Sequence, residues 1–570
     1  MTRCFAAFSI PLCLLSSLAF ADITGHIADT VTHNSIANVT VTVIGTTSSA
    51  ITDAQGNFTI AGVAANPVPY RPVPAQGFSP HIRGNSIVVC GSDKATSVVL
   101  FNSRGALVYR TTAQSNDRDP SSFSLPALAQ GSFLLTITGT QGKESFRLMN
   151  IGGRLDLSVA QQEQSSAQQL RKASETTRYA VSCANAAYKT RELNVIDSGV
   201  NEIRLVPTNS TTYYYFPPVQ LDDDGIVTGT LKDASINQTL MEAAGTKVLD
   251  TVGCHEIHSI LVCKDSKLVF EEYFYGNNDT INFEDNVARV PNGYIQWSRT
   301  LKHYVASATK SFTSTVLAIA LDKMGLTADE KISTYLPAYS AMFTGQKADI
   351  TLKHCLNMVA GFNWNEWGGP DLNNMWNISD TDFTWFVLNH GMSATPGTQW
   401  VYCSGLPNIE QHIVQNMVGD SGAKFIRENL LEPLGITDIQ WETQHGGGML
   451  PEGAARLLIR PRDMLKWGIT CLDSGKWQGK QVIPAAWLAT CSKVQVNGNY
   501  SYHFWVTNYT YGTKTVGQFG AQGDGGNYIL IFPTLNMVVV FTGGLYLESP
   551  TYDNQITAIL TSYILPAVSP

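Results

Sequence analysis

The sequence has few charged residues and no basic run. Only 15% of its 570 residues are Asp, Glu, Lys or Arg, and the formal net charge is −8. Proteins that bind the phosphate backbone of nucleic acids usually carry Lys and Arg clustered on one face. The composition therefore gives no reason to expect a nucleic-acid partner.

Long apolar runs are also missing. The N-terminal stretch MTRCFAAFSIPLCLLSSLAFA is interrupted by Pro11 and is too short to span a bilayer. With Arg3 ahead of its apolar centre and Ala19-Phe20-Ala21 at its end, it predicts a removed signal peptide over residues 1–21. We therefore expect an exported protein without a transmembrane segment, located in the periplasm, at the cell surface or outside the cell.

Two common chemical signatures are absent. The cysteines form no C-x-x-C pair, which speaks against a zinc site, and no G-x-S-x-G is present, which speaks against an ordinary α/β-hydrolase. The even number of cysteines after the signal peptide permits disulfides in an exported protein. Buried, unpaired cysteines are the interpretation that we favour.

The chain is too long for one core, and its texture changes several times. Residues 22–65 alternate β-branched and polar residues around a turn at Asp53-Ala54-Gln55-Gly56, and they resemble a carboxypeptidase regulatory-like β-sandwich. Short strands at 77–152 predict a small β-sandwich module, and the Gln/Ser-rich residues 153–177 predict a linker. We expect 178–207 to complete the first sandwich, with the second module inserted into it; two independent β modules are the simpler alternative.

From residue 225 onward, helical periodicity alternates with strands. VFEEYF and NMVVVFTGG are typical of strands, and AKFIRENLLEPLG is typical of a helix. The region 225–567 is thus predicted to be an enzyme-sized α/β domain with a deep cleft.

Within this region, VASATKSFTSTVLAIALDKMG places Ser307 three residues before Lys310, at the start of an apolar helix. Residues three apart share a helix face, so both side chains can point into one pocket. A serine hydroxyl becomes a nucleophile when a base takes its proton, and a lysine can do so only when it is neutral. An isolated S-x-x-K is a weak signal, since a helix start with a solvated lysine looks the same.

A second S-x-x-K illustrates that weakness. Ser421 and Lys424 have the same spacing, and Gly419-Asp420-Ser421-Gly422 is similar to the nucleophile loop of trypsin-like proteases. The segments around it are helical rather than barrel-forming. We interpret Ser421 as the N-cap of the helix that follows.

Two downstream stretches strengthen the case for Ser307. ATPGTQWVYCSG contains Tyr402-Cys403-Ser404, and FGAQGDGGNYILIFPTLNMVVVFTGG is a glycine-rich turn between buried strands. The order S-x-x-K, Y-x-S, Gly-rich strand resembles the serine β-lactamase and penicillin-binding superfamily. The likeness is greatest to the class C branch, with its family VIII esterases and 6-aminohexanoate-dimer hydrolases, and it extends over about 225–567.

The resemblance implies a fold and a set of catalytic roles. It implies N-terminal all-β sandwich modules followed by an α/β serine β-lactamase-like domain, with an antiparallel sheet flanked by helices and an all-helical region. Ser307 would accept the acyl group, and Lys310 and Tyr402 would handle its proton; which of the two is the general base stays open. Ser404 would hydrogen-bond Lys310 or a substrate amide. No cofactor or metal is implied.

The substrate side of the site is also inferred from the resemblance. The Ser307 amide and a second amide near Gly525, Gly526 and Asn527 would form the oxyanion hole. Trp367 and Trp376 would line an apolar pocket, with core packing as the alternative.

The third motif departs from that of penicillin-recognising relatives, which carry a cation and a hydroxyl there. Gln518-Phe519-Gly520 or Asp524-Gly525-Gly526 stands at this place, depending on the alignment, and neither supplies a cation. We therefore expect an exported serine hydrolase acting on a small ester or amide. The alternatives are a β-lactamase or D-Ala-D-Ala carboxypeptidase, and a surface-binding protein whose β modules contact glycan or the cell envelope.

Overall fold

The computed structural model describes residues 20–64 and 178–568, apart from gaps at 198–199, 251–253, 279, 282–288, 291–292, 368, 378–381, 445–449 and 497. Between residues 79 and 159 it describes the backbone of the strands. Nearly all of the predicted signal peptide lies outside the described residues. Two compact units are formed, one from the described residues before Ala65 and from Arg178 onward, the other from the strands between them.

The second unit contains a five-stranded and a three-stranded sheet, built from β5 (Ser79–Arg83), β6 (Ser86–Cys90), β7 (Ala95–Asn102), β8 (Leu107–Thr112), β9 (Ser121–Ser124), β10 (Gly131–Gly139), β11 (Lys143–Ile151) and β12 (Arg154–Val159). The predicted linker 153–177 was wrong at its start, because RLDLSV forms β12 and pairs with β11. Its alternating apolar residues suit a strand more than a linker. The remainder of the linker, 160–177, lies outside the described residues.

The N-terminal β region consists of two sheets that share one core. Its strands before the insertion are β1 (Phe20–Asp29), β2 (Thr40–Val43), β3 (Ser49–Ile51) and β4 (Asn57–Ala64); those after it are β13 (Arg178–Asn185), β14 (Tyr188–Ile196) and β15 (Val200–Leu205). The sheets run β15-β1-β4 and β14-β13-β2-β3, so each contains strands from both sides of the insertion. Ile27, Val41, Val181 and Leu205 are fully buried between them.

The larger C-terminal region is built on an antiparallel sheet of seven strands in the order β17-β16-β31-β30-β29-β28-β27. The main strands are β16 (Ile257–Lys264), β17 (Lys267–Tyr273), β28 (Phe504–Tyr511), β29 (Lys514–Gly523), β30 (Asn527–Phe532) and β31 (Met537–Gly543). Short strands are β18 (Tyr275–Asn277), β19 (Thr280–Ile281), β20 (Arg289–Val290), β21 (Tyr294–Gln296), β22 (His303–Tyr304), β23 (Gln440–Trp441), β24 (Leu457–Ile459), β25 (Lys476–Trp477), β26 (Lys480–Gln481) and β27 (Tyr500–Ser501). The α/β organisation predicted from residue 225 onward is confirmed.

Helices cover both faces of this sheet. They are α1 (Gln238–Leu249), α2 (Thr309–Met324), α3 (Leu352–Leu356), α4 (Asp371–Trp376), α5 (Phe383–Leu388), α6 (Gly405–Val418), α7 (Gly422–Ile426), α8 (Pro461–Leu472), α9 (Ala485–Cys491), α10 (Thr551–Ile559) and α11 (Leu565–Val568). In β31, Val538 and Val540 point into the core with α2 and α8, while Val539 and Phe541 point into the core with α1 and α10. Burial on both faces explains why this strand is a continuous apolar run.

Helix α2 is enclosed by protein on all sides. Every residue from Thr309 to Leu321 is buried, and Gly325 ends the helix in the left-handed conformation with φ of 65°. Its polar side chains find partners inside the core, as when Thr313 Oγ1 donates to the Gly453 carbonyl at 2.8 Å. A helix buried all round is held in place by tertiary packing, and α2 is therefore a rigid base for the residues at its start.

Two further findings bear on the sequence analysis. Within the described part of the chain, no helix is both long and apolar enough to cross a membrane. The seven cysteines whose side chains are described are all buried, and none of them forms a disulfide.

Candidate active site

Ser307 lies at the entrance of α2, in a single 3-10 turn over Ala306–Ala308. Ala306 has a φ of 45°, a left-handed conformation that is rare for a residue with a side chain. The turn is anchored at Val305, whose N–H donates to the Leu457 carbonyl at 3.0 Å. Between His303 and Leu321 every residue is buried except Ser307, which is partly exposed. Within this segment, solvent therefore reaches only the Ser307 residue.

Lys310 lies directly behind that hydroxyl. Its side chain is 1% exposed, and its Nζ donates to Ser307 Oγ at 3.0 Å and to the Ala454 carbonyl at 2.9 Å. The carbonyl is fixed by Glu452, whose buried carboxylate accepts the N–H groups of Ala454 and Arg456 at 3.0 and 2.9 Å. The loop that follows Glu452 therefore holds the amine against the serine.

Tyr402 approaches the same point from the loop before α6. Its ring centroid lies 4.9 Å from Lys310 Nζ, and the residue is 6% exposed. Trp367 stacks on the ring with a centroid separation of 5.8 Å, and Trp505 stacks on it at 6.1 Å. Trp367 is itself 73% exposed, so an aromatic surface faces solvent beside the tyrosine. The structure thus brings together Ser307, Lys310, Tyr402 and Trp367.

Ser404 does not join this group, and its predicted hydrogen bond to Lys310 was wrong. Its hydroxyl donates to Glu366, which also accepts the Ser404 N–H at 3.0 Å and the Trp364 indole N–H at 2.7 Å. Ser404 is 2% exposed and Glu366 is 8% exposed. A buried carboxylate needs donors, and Ser404 is one of them.

Trp376 is likewise part of the core rather than the wall of an opening. It is 5% exposed, its indole N–H reaches Glu452 at 3.4 Å, and the Arg456 guanidinium lies 5.6 Å from the ring centroid. The alternative of core packing is therefore correct for Trp376.

The predicted oxyanion residues occupy the turn between β29 and β30 and the first residue of β30. Gly525 and Gly526 have φ of 81° and 89°, and a Cβ on Gly525 would lie 2.6 Å from the Tyr546 ring. Asn527 is fully buried, and its amide holds the turn by donating to the Asp524 and Gly543 carbonyls at 2.9 and 3.2 Å. Their role in an oxyanion hole stays a prediction, whereas the end of β29 closely approaches the turn that carries Ser307.

The end of β29, residues 521–523, is the part of the strand that runs beside the nucleophile. A Cβ on Gly523 would lie 2.0 Å from the Val305 carbonyl and 2.9 Å from the Ala308 nitrogen, so only glycine permits this approach. The pairing of β29 with β28 begins at Gly520 opposite Trp505, and residues 521–523 extend beyond it. This strand end supplies no cation. Burial raises the pKa of the nearby Asp524 carboxyl, which accepts the Leu547 N–H at 2.8 Å.

Three features of the site were not predicted from the sequence. Glu366 and Glu452 are buried carboxylates that organise its walls, and Gly523 is the point of closest strand approach. Glu366 lies within NWNEW and Glu452 within LPEG, where nothing local marks a buried charge. Gly523 could have been found as a third alignment of the glycine-rich motif, Ala521-Gln522-Gly523, which lies three residues from each of those that we considered.

A family model described as Beta-lactamase matches residues 258–554. Protein flp of Staphylococcus aureus (strain MRSA252) is 25% identical over 196 residues, which is 33% of this chain and 37% of flp. A candidate penicillin-binding protein, PbpX of Bacillus subtilis (strain 168), is 26% identical over 144 residues, 25% of this chain and 34% of PbpX.

The chain thus spans about a third of the length of these curated relatives. Among solved structures, a candidate 6-aminohexanoate-dimer hydrolase from Bacillus anthracis is 17% identical. It superposes with a TM-score of 0.46 over 63% of this chain and 90% of that one.

Proposed function

Because this chain belongs to the beta-lactamase family of serine hydrolases and penicillin-binding proteins, we propose that it cleaves an ester or amide through an acyl-enzyme on Ser307. Lys310 and Tyr402 would carry the protons. The substrate, the covalent intermediate and these roles are the parts of the proposal that go beyond family membership.

The proposal depends on one observation. In a run of otherwise buried residues, Ser307 alone is partly exposed, and a buried amine lies 3.0 Å behind its hydroxyl. A serine on an ordinary helix surface would have neither the buried neighbour nor the opening toward solvent. This arrangement supports attack on a carbonyl from outside and removal of the proton from inside.

The steps conserve atoms and protons. Ser307 Oγ attacks the carbonyl carbon as its proton passes to Lys310 or Tyr402, and the oxyanion takes hydrogen bonds from the Ser307 amide and the end of β29. The carbon–oxygen or carbon–nitrogen bond to the leaving group then breaks, and the leaving group takes that proton. Water then attacks the carbonyl carbon of the acyl-serine and gives its proton to the same base, and Ser307 Oγ takes that proton as the acid is released.

We infer a substrate without a carboxylate next to the reacting bond. The strand end at 521–523 offers no cation, and the Asp524 carboxyl follows it directly. Exposed Trp367 offers an apolar surface beside Tyr402. These features favour a neutral ester or amide with an apolar group over a β-lactam or a peptide ending in D-Ala-D-Ala.

Intact-mass measurement after brief exposure to a panel of substrates tests the reaction. We expect a p-nitrophenyl ester to leave an acyl adduct that peptide mapping places on Ser307, while nitrocefin and fluorescent penicillin leave little. An adduct with penicillin and no ester turnover would instead support the surface-binding alternative. Rapid nitrocefin turnover would support a β-lactamase.

Trp367→Ala tests the substrate surface. We expect it to lower kcat/KM for an aromatic acyl ester relative to an acetyl ester by about ten-fold, because burying one aromatic contact contributes roughly 1–2 kcal/mol. Trp385→Ala is the matched control, since Trp385 is 38% exposed on α5 and has no place in the site. An unchanged ratio in Trp367→Ala would remove this tryptophan from the substrate pocket.

We further propose that the protein is exported and that its N-terminal β region is a carboxypeptidase regulatory-like sandwich. The composition of residues 1–21 supports export, and two sheets around a shared core support the sandwich. N-terminal sequencing of the protein from a periplasmic or culture fraction tests the cleavage, which we expect after Ala21.

A further inference from the structure

A buried ion pair between His503 and Glu410 lies close to Tyr402, and the proposed reaction does not use it. Both side chains are 0% exposed, and His503 Nε2 lies 3.0 and 2.9 Å from the two carboxylate oxygens. Removing two ionisable groups from water costs free energy that their attraction only partly offsets. Stability alone therefore does not explain the pair, and its contacts indicate what it holds in place.

His503 connects three elements that carry or border the site. Glu410 lies on α6, the helix that begins just after the catalytic tyrosine. The His503 carbonyl accepts the Ser311 hydroxyl on α2 at 2.6 Å, and its N–H donates to the Leu356 carbonyl at the end of α3 at 3.0 Å. His503 and the preceding Tyr502 have φ of 65° and 49°, a strained conformation that persists because these contacts fix it.

The other ring nitrogen of His503 meets Tyr500. The phenol oxygen lies 3.3 Å from His503 Nδ1. Burial raises the pKa of Tyr500 well above its usual value, so the phenol keeps a proton with which it can hydrogen-bond Nδ1. One ring nitrogen of His503 thus meets Tyr500 and the other meets Glu410, so the three side chains form one connected hydrogen-bonded chain.

Tyr500, held by His503, in turn contacts the Tyr402 ring. Its ring meets Tyr402 edge-on, at a centroid separation of 6.2 Å and an interplanar angle of 75°. It also meets Trp505 edge-on at 5.0 Å, and Trp505 stacks on Tyr402 at 6.1 Å. Two aromatic contacts from one strained segment thus define where the Tyr402 ring can lie.

We propose that His503 and Glu410 are positioning residues for Tyr402: through the Tyr500 hydroxyl they fix the aromatic wall that holds the catalytic phenol beside Lys310. This inference rests on the proposed function, since it requires Tyr402 to move a proton at Ser307. The pair itself does not touch the substrate.

A double-mutant cycle on kcat tests the connection. We expect His503→Gln and Tyr500→Phe each to lower kcat for a p-nitrophenyl ester by about ten-fold with KM changed less than about two-fold. The reason is that the Tyr402 ring loses its position, whereas the contacts of the substrate are unchanged. The double variant should also lose about ten-fold instead of a hundred-fold, since both changes break one path. His412→Gln, on the same helix and bonded to Thr384 at 2.9 Å, is the control and should leave kcat unchanged.

Independent losses that multiply, or a wild-type kcat in a folded His503→Gln, would overturn the proposal. Should His503→Gln fail to fold, Tyr500→Phe leaves the ion pair in place, and a wild-type kcat in that variant has the same consequence.

Fluorine NMR of 3-fluorotyrosine at position 402 gives a readout that needs no turnover. The resonance should shift in His503→Gln and Tyr500→Phe but not in His412→Gln, and an unmoved resonance contradicts the inference. If the three variants show this pattern of shifts but the wild-type protein never acylates Ser307, the proposed function is wrong and the positioning of Tyr402 still stands.

Discussion

Ser-x-x-Lys occurs twice in this chain, and the two places differ in what surrounds the lysine. Lys310 is 1% exposed, and its amine meets the Ser307 hydroxyl and a backbone carbonyl. The side chain of Lys424 is 48% exposed and pairs with Asp420. Ser421 caps α7 by accepting the Lys424 N–H, as its N-cap interpretation predicted. Identical spacing thus produces a buried polar contact in one place and a surface helix start in the other.

The difference lies in the elements that meet the helix. Helix α2 is covered on every side, and the loop around Glu452 approaches Lys310 from 142 residues further along the chain. Helix α7 begins a helical segment that continues through Leu431, and its first turn has solvent on one face. The four-residue motif defines the spacing of serine and lysine. The tertiary structure decides whether the lysine amine is buried against the serine hydroxyl.

The largest effect should separate the two serines. Ser307→Ala should lower kcat for a short p-nitrophenyl ester by about 10³-fold or more, because the acyl group then has no acceptor. Ser421→Ala should leave kcat unchanged. Steady-state kinetics makes the comparison, with circular dichroism as a check of folding. Equal turnover in the two variants would contradict an acyl-enzyme on Ser307.

The lysines should differ by a smaller factor. Lys310→Met keeps the volume of the side chain and removes its amine, so we expect kcat to fall by about 10²–10⁴-fold through loss of proton transfer. Lys424→Met should leave both the free energy of unfolding and kcat nearly unchanged, because an exposed ion pair contributes little to stability. Kinetics and thermal unfolding of both proteins provide the measurement; a Lys310→Met enzyme of normal kcat would assign the proton to Tyr402.

The smallest effect concerns the surface pair. The Lys424 hydrogen bond holds the pKa of the Asp420 carboxyl below its usual 3.8. A depressed folded pKa means that the pair stabilises the protein above about pH 4 and ceases to do so as the pH falls through the folded value. Asp420→Asn should therefore be slightly less stable at pH 7 at low salt, and the difference should vanish in acid or at high salt. A difference that grows in acid would reverse the sign of this argument.

The parts of the site that could be predicted are those in which the order of motifs carries information. Ser307, Lys310 and Tyr402 could be predicted because each belongs to a short motif and the motifs follow one another in a recognisable order. Ser404 and Trp376 could not be predicted, since their hydrogen bonds go to Glu366 and Glu452. Whether such a carboxylate is buried depends on contacts far along the chain.

The fold shows the same limit. Period-two alternation predicted strands in the N-terminal region, and the mixed pattern after residue 225 predicted an α/β domain. Residues 154–159 were missed as a strand because their neighbours are rich in Gln and Ser, and a window average hides six residues of alternation. Gly525 attracted attention as part of a glycine cluster, whereas Gly523 is the residue at which a Cβ would meet the backbone of the Ser307 turn, at Val305 and Ala308.

The parallel pairing of β1 with β15 has a consequence for biosynthesis. His26 and Glu202, 176 residues apart, lie side by side on these strands. A ribosome releases β1 long before its neighbour exists, so that edge must wait unpaired while the intervening unit is made. Closure of so distant a pair is slow. The nascent chain therefore passes through an interval, ending only after Leu205 emerges, in which this sheet is incomplete.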